Sequence, residues 1–166
     1  MRIAGVDPGT IVTGVGILDD SGKQPALVFS GIIRPSKGEP IANRIETIFT
    51  ELKTLFQEWK PDVLALENIF YQKDFRAAVK VGEARAAAML AASMNGIPVV
   101  EYPPARIKQS ISGNGRATKD QIQYMVRHIL GLQGSLSADS ADAIAVALCH
   151  IHCQKFTQIQ KEASRV

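Results

Sequence analysis

Cysteine is scarce here: Cys149 and Cys153 are the only two in 166 residues. Two thiols make no disulfide framework, so a cytoplasmic, reducing setting is the expected one. Long hydrophobic runs are missing as well. No apolar stretch approaches the ~20 residues that cross a bilayer, and the opening MRIAGVDPGT lacks the hydrophobic block of a secretion signal. Strong charge of one sign is absent too. Nineteen basic residues face 16 acidic ones, a net charge of +3, which is compatible with nucleic acid as a partner without demonstrating it. There is no internal repeat and no low-complexity segment. With 46% hydrophobic and 21% charged residues, the chain has the composition of one globular domain able to bury a core.

Hydrophobic patterning gives the elements. RIAGVD is a short apolar strand ending in an acid and followed by the turn signal Pro8-Gly9; IVTGVGILDD and ALVFSGIIRP, joined by SGKQP, complete an antiparallel meander. Apolar residues from Ile41 to Phe56 recur at helical spacing. PDVLALE is a fourth strand, again ending in an acid. An alanine-rich helix over about 75–95 is closed by Gly96, IPVVEYP is a fifth strand, and ATKDQIQYMVRHILG is a helix capped by Thr118. A last, thoroughly apolar helix begins near Ser137, and the polar residues after Cys153 are expected to fray. A meander followed by strands alternating with helices predicts an α/β fold: a mixed five-stranded sheet flanked by helices on both faces. The expected domain is residues 1–153, with 154–166 as a polar tail.

That last helix poses a problem. In SADSADAIAVALCHIH, Asp139 and Asp142 stand three apart, so they share a helix face. Two ionised carboxylates about 5 Å apart, at an effective dielectric near 20, repel by roughly 3 kcal/mol. A role at the helix start accounts for Asp139. It accounts less well for Asp142, which lies deeper, before the apolar AIAVAL. Either something positive lies between the two or one carboxyl keeps its proton. Catalytic and binding residues in such sheets gather at the carboxyl ends of parallel strands. Asp7 ends the first strand and Glu67 the fourth. If these strands are parallel neighbours and the last helix crosses them, four acids converge and divalent cations neutralise them. Oxygen-only ligation of this kind suits Mg²⁺ or Mn²⁺, and two such ions support in-line phosphoryl displacement. Taken singly, Asp7 is equally a turn residue and Glu67 equally a strand-end charge. CHIHC places Cys149, His152 and Cys153 at helical spacing, but a closed zinc site wants a fourth ligand, so two small core cysteines are the preferred reading.

GVDPGT, ALENIF and ADSADAIAVALCH, in this order and spacing, together with GEARAAAM and EYPPARIKQSISGNGRATKDQI, resemble the RuvC family of Holliday junction resolvases over 1–153. The resemblance implies an RNase H-like fold and a catalytic, metal-binding tetrad of Asp7, Glu67, Asp139 and Asp142. It also implies an endonuclease of DNA recombination and repair. That enzyme would resolve four-way junctions by two symmetric Mg²⁺-dependent nicks, leaving 5′-phosphate and 3′-hydroxyl ends. A homodimer matching the junction's symmetry and partnership with the RuvA and RuvB branch-migration proteins follow from the same likeness.

For DNA contacts, residues 105–128 carry Arg106, Lys108, Arg116, Lys119 and Arg127 against a single acid, Asp120. The glycines of SGNGRATK suit close approach to phosphates. The resemblance assigns Lys108 and Lys119 to the scissile strand and Phe70, which by its residue type alone reads more readily as core, to stacking on an unpaired base. Lys73, Arg76, Lys80 and Arg85 either line the same DNA path or form a solvated helix face. Two rivals remain: an actin-like or sugar-kinase ATPase, suggested by GVDPGTIVTGVGILDD but needing a second lobe, and a non-catalytic junction-binding module, which would have no use for four buried acids.

Overall fold

The computed structural model describes residues 1–68 and 75–163. The first three strands are β1 (Arg2–Asp7), β2 (Thr13–Asp19) and β3 (Ala26–Ile33), followed by helix α1 (Ile41–Trp59) and strand β4 (Val63–Glu67). Then come α2 (Phe75–Met94), β5 (Val99–Tyr102), α3 (Pro104–Ser112), α4 (Lys119–Ile129) and α5 (Ala138–Ala163). The sheet order is β3-β2-β1-β4-β5. β1 pairs antiparallel with β2 but parallel with β4, and β4 pairs parallel with β5. This is the mixed five-stranded sheet that the sequence predicts.

Strand alternation splits the core in two. Ala4, Val6, Val15, Ile17, Leu64 and Leu66 face α1 and α2, meeting Ile48, Leu52 and Phe56 of α1 and the alanines of α2. Ile3, Leu18, Val63 and Ala65 face α5, with α3 and α4 packed over it. That sandwich explains why α5 is apolar all round: Ala143 to Cys149 are all buried, the sheet below and two helices above.

α5 lies unusually close to the sheet because β1 and β2 offer glycine where it crosses. A Cβ at Gly5 would strike the Ala143 carbonyl, and one at Gly14 the Asp139 carbonyl. α2 ends as expected, with Gly96 in the left-handed region at φ +69°. Thr118 forms a full capping box with Gln121 at the head of α4.

Two expectations need correction. Residues 104–112, left without an element in the sequence, form α3. Pro103-Pro104 reads as a turn, yet Pro104 occupies a first-turn position where its missing N–H costs nothing, and Ile107 and Ile111 give the one-turn apolar pair that seats it. The polar stretch after Cys153 does not fray at once. α5 runs on to Ala163, since no glycine or proline interrupts it and extending a helix already nucleated in the core costs little. Lys155 ties its first exposed turn to Asp20 at 2.7 Å.

Candidate active site

The parallel register of β1 and β4 sets Val6 beside Leu66, so Asp7 and Glu67 emerge together at the carboxyl end of the sheet. The turn after Asp7 is clamped by Thr13, whose hydroxyl donates to the Gly9 carbonyl at 2.8 Å and accepts from the Gly9 N–H at 3.2 Å. α5 arrives over the same end. Ser137, not Asp139, caps it, its Oγ accepting from the Ser140 N–H at 3.2 Å. Ser137 Oγ also donates to Ser140 Oγ, which in turn donates to the Gly31 carbonyl of β3, both at 2.8 Å. The first turn is thus bolted to the sheet, with Asp139 above Gly14, the β2 partner of Asp7.

Asp7, Glu67 and Asp142 line one cleft of about 230 Å³ with Lys108 of α3 and Lys119 of α4, walled by Ile107, Ile122 and Val146. Asp139 stands at its margin, near enough to act electrostatically on both Asp7 and Lys119. Among the described residues, no three His, Cys, Asp or Glu side chains are drawn tightly enough together to ligate one ion as they stand.

The electrostatics answer the question posed by the two aspartates. Lys119 Nζ lies 2.5 Å from Asp142 Oδ2, and this bond raises the lysine's pKa. A positive group does sit at the pair. A proton is retained as well, though elsewhere. Burial, then the charges of Asp142 and Glu67, push Asp7 from 3.8 up to about 7, against the opposing pull of Lys119. Burial followed by Asp142 raises Glu67 too, opposed by Lys108 and Lys119. The cleft holds more negative charge than its lysines offset.

Of the expected DNA contacts, Lys108 and Lys119 line the cleft. Arg116 is exposed in the turn between α3 and α4, its backbone N–H held by Asn114 Oδ1 at 2.9 Å. Arg76 is exposed on the first turn of α2, while Phe70 and Lys73 lie outside the described residues. Arg85 departs from both sequence readings. It is only 9% exposed, neither a solvated face nor a DNA contact. Its Nη1 donates to the Glu67 carbonyl at 3.1 Å and its Nη2 reaches Glu101 Oε1 at 2.5 Å. Nothing in the sequence pattern marks it, and only the burial of the alanines around it shows that this arginine has to find internal partners. CHIHC serves the core: Cys149 is buried, His152 Nδ1 meets the Ser110 carbonyl at 2.9 Å, and Cys153 Sγ accepts from Arg106 Nε at 3.4 Å.

The family profile described as crossover junction endodeoxyribonuclease RuvC matches residues 3–150. The crossover junction endodeoxyribonuclease RuvC of Pelotomaculum thermopropionicum is 46% identical over 153 residues, 92% of this chain and 93% of its own length. That of Halorhodospira halophila is 48% identical over 151 residues, covering 91% and 90%. Among solved structures, Thermus thermophilus RuvC in complex with Holliday junction substrate superposes with a TM-score of 0.88 at 33% identity, covering 95% of this chain and 96% of that one. The chain belongs to the RuvC family of crossover junction endodeoxyribonucleases.

Proposed function

We propose that this chain resolves four-way (Holliday) DNA junctions in recombination and repair, by metal-dependent hydrolysis of one phosphodiester in each of two symmetric strands. Family membership supplies the substrate class. The observation that carries the chemistry is a single cleft holding Asp7, Glu67 and Asp142, with Asp139 at its edge and two lysines facing in.

The donor set fits a hard divalent cation. All four acids offer oxygen, they come from the rigid ends of β1, β4 and α5, and the Lys119 ammonium at Asp142 marks a spot that accepts positive charge. Burial, and after it the charges of Asp142 and Glu67, raise the Asp7 pKa, and a cation would offset both. Asp7, Glu67, Asp139 and Asp142 are thus the proposed ligands for Mg²⁺, with Mn²⁺ as a substitute and two ions per site. When bound, the metal lowers the pKa of water to make a nucleophile and offsets charge building on the phosphate. The side chains do the rest. Asp7 and Glu67 at the strand ends and Asp139 and Asp142 on α5 would hold the metal, Lys108 and Lys119 draw the scissile phosphate into the cleft, and the apolar wall of Ile107, Ile122 and Val146 limits water. The products are ligatable 5′-phosphate and 3′-hydroxyl ends.

Arg76 and Arg116, with Phe70 and Lys73, extend the proposed DNA contacts. Phosphate contacts of this sort give affinity that falls with salt. One tetrad makes one nick, so a two-fold homodimer supplies the pair. The exposed Val79, Leu90 and Met94 on one side of α2 support an interface there. We assign the nuclease unit to 1–153, with RuvA and RuvB as partners and the cytoplasm as the site of action. Among the described residues, no helix is long and apolar enough to cross a membrane.

The test incubates labelled four-way junction or plain duplex with the protein, in Mg²⁺ or in chelator. Paired nicks confined to the junction, absent in chelator and in Asp7→Asn, support the reading. Nicking that ignores junction structure or persists in chelator refutes it. ATP turnover without DNA would favour the kinase-like rival.

A further inference from the structure

Arg85 is the buried charge that the proposed chemistry leaves unused. α2 packs on the sheet through Ala84, Ala87, Ala88, Ala91 and Ala92, all buried. At the flank of that seam the Arg85 guanidinium reaches two neighbouring strand ends. One branch donates to the Glu67 carbonyl at 3.1 Å and the other meets the Glu101 carboxylate at 2.5 Å. Glu101 stands opposite Leu66 in the β4–β5 register, and the last backbone bond of that pair runs from the Asn68 N–H to the Tyr102 carbonyl at 2.9 Å. Glu67 is the last residue of its strand, and that bond holds only the N–H side of the Glu67–Asn68 peptide, leaving its carbonyl to Arg85. Its side chain faces the cleft.

We propose that Arg85 is the positioning residue for Glu67, its planar fork fixing the Glu67 peptide against β5 so that the carboxylate stays aimed into the cleft. The geometry calls for arginine rather than lysine, since one rigid group must satisfy two acceptors on different strands. Glu101 neutralises the guanidinium and sets its direction. A group that only fastened α2 to the sheet would have no need to bond the backbone of that particular residue. The inference rests on the nuclease reading in one respect, that Glu67 is a catalytic carboxylate.

The experiment compares wild type with Arg85→Met, Arg85→Lys and Glu101→Gln, at a temperature well below the melting point of each. Junction affinity is measured in chelator and cleavage in Mg²⁺. Positioning errors near 1 Å cost up to ~100-fold in rate. The expected result is kcat reduced at least ~10-fold in Arg85→Met, with KM and junction affinity unmoved. Arg85→Lys should recover part of the loss, and Glu101→Gln should show a smaller one. A merely structural role predicts lower melting temperatures with unchanged kcat in the folded protein, and that outcome overturns the proposal. If Arg85→Met does not fold, the Lys and Gln variants decide by the same criterion. A wild-type protein that nicks no junction overturns the reading of the site instead. Arg85 is then judged by Mn²⁺ binding, followed by electron paramagnetic resonance: affinity weakened by about ten-fold in Arg85→Lys supports positioning, and unchanged affinity overturns it.

Discussion

Holding Asp7 protonated near neutrality makes stability a reporter of the cleft. Its pKa rises from 3.8 unfolded to about 7 folded, mainly through burial and then through Asp142 and Glu67. The sign follows from proton counting. Between about pH 4 and pH 7 the folded chain binds more protons at this group than the unfolded chain, so stability falls as pH rises through that window. A change of about three units, at 1.36 kcal/mol each, corresponds to roughly 4 kcal/mol, an upper bound because the cleft can relax or admit water. Glu67, also raised, adds to the same trend. Asp7→Asn removes the ionisation while keeping the shape. In chelator, urea unfolding should find the variant close to wild type near pH 4 and increasingly more stable than wild type up to pH 8. With a slope of ~2 kcal/mol per M, the difference amounts to a midpoint shift of about 1–2 M. Added Mg²⁺ should stabilise the wild type at pH 8 and do little for the variant. A midpoint difference that is the same at pH 4.5 and pH 8 would refute the claim that the folded cleft raises the Asp7 pKa.

Other perturbations probe the scaffold. Gly14→Ala thrusts a methyl into the Asp139 carbonyl, so α5 must lift; a cost of ~1–3 kcal/mol in denaturant unfolding and a cleavage loss approaching ~100-fold are expected. Thr118→Ala removes the α4 capping box and should cost ~0.5–2 kcal/mol, with melting temperature as the readout. Lys119→Met deletes the ammonium beside Asp142. Junction affinity should fall, and the slope of log affinity against log salt should flatten by ~1.

The acidic positions were legible because each stands where periodicity breaks. Asp7 and Glu67 close apolar strands, and Asp142 interrupts an apolar helix, so charge at those points demanded a reason. The meander and the mixed sheet were legible from the strand and helix alternation, whereas the β1–β4 pairing stood only as a condition until the sheet order was seen. What escaped depends on side-chain reach. The sequence does not reveal that Lys119 turns onto Asp142 or that Arg85 turns inward, since an arginine on a helix reads the same whether it meets water or a carbonyl. α3 escaped because two adjacent prolines outweigh one isoleucine pair in any local reading. Ser140 escaped because its partner, the Gly31 carbonyl, lies 109 residues away.

The four carboxylates come from positions 7, 67, 139 and 142, and the helix that carries the last two docks against β1 and β2, far earlier in the chain. If these acids are the cutting centre, as proposed, a chain still emerging from the ribosome can complete its strands and yet possess no such centre. On the proposed reading, a chain broken off before α5 lacks Asp139 and Asp142, and with them half of the acids that the chemistry needs.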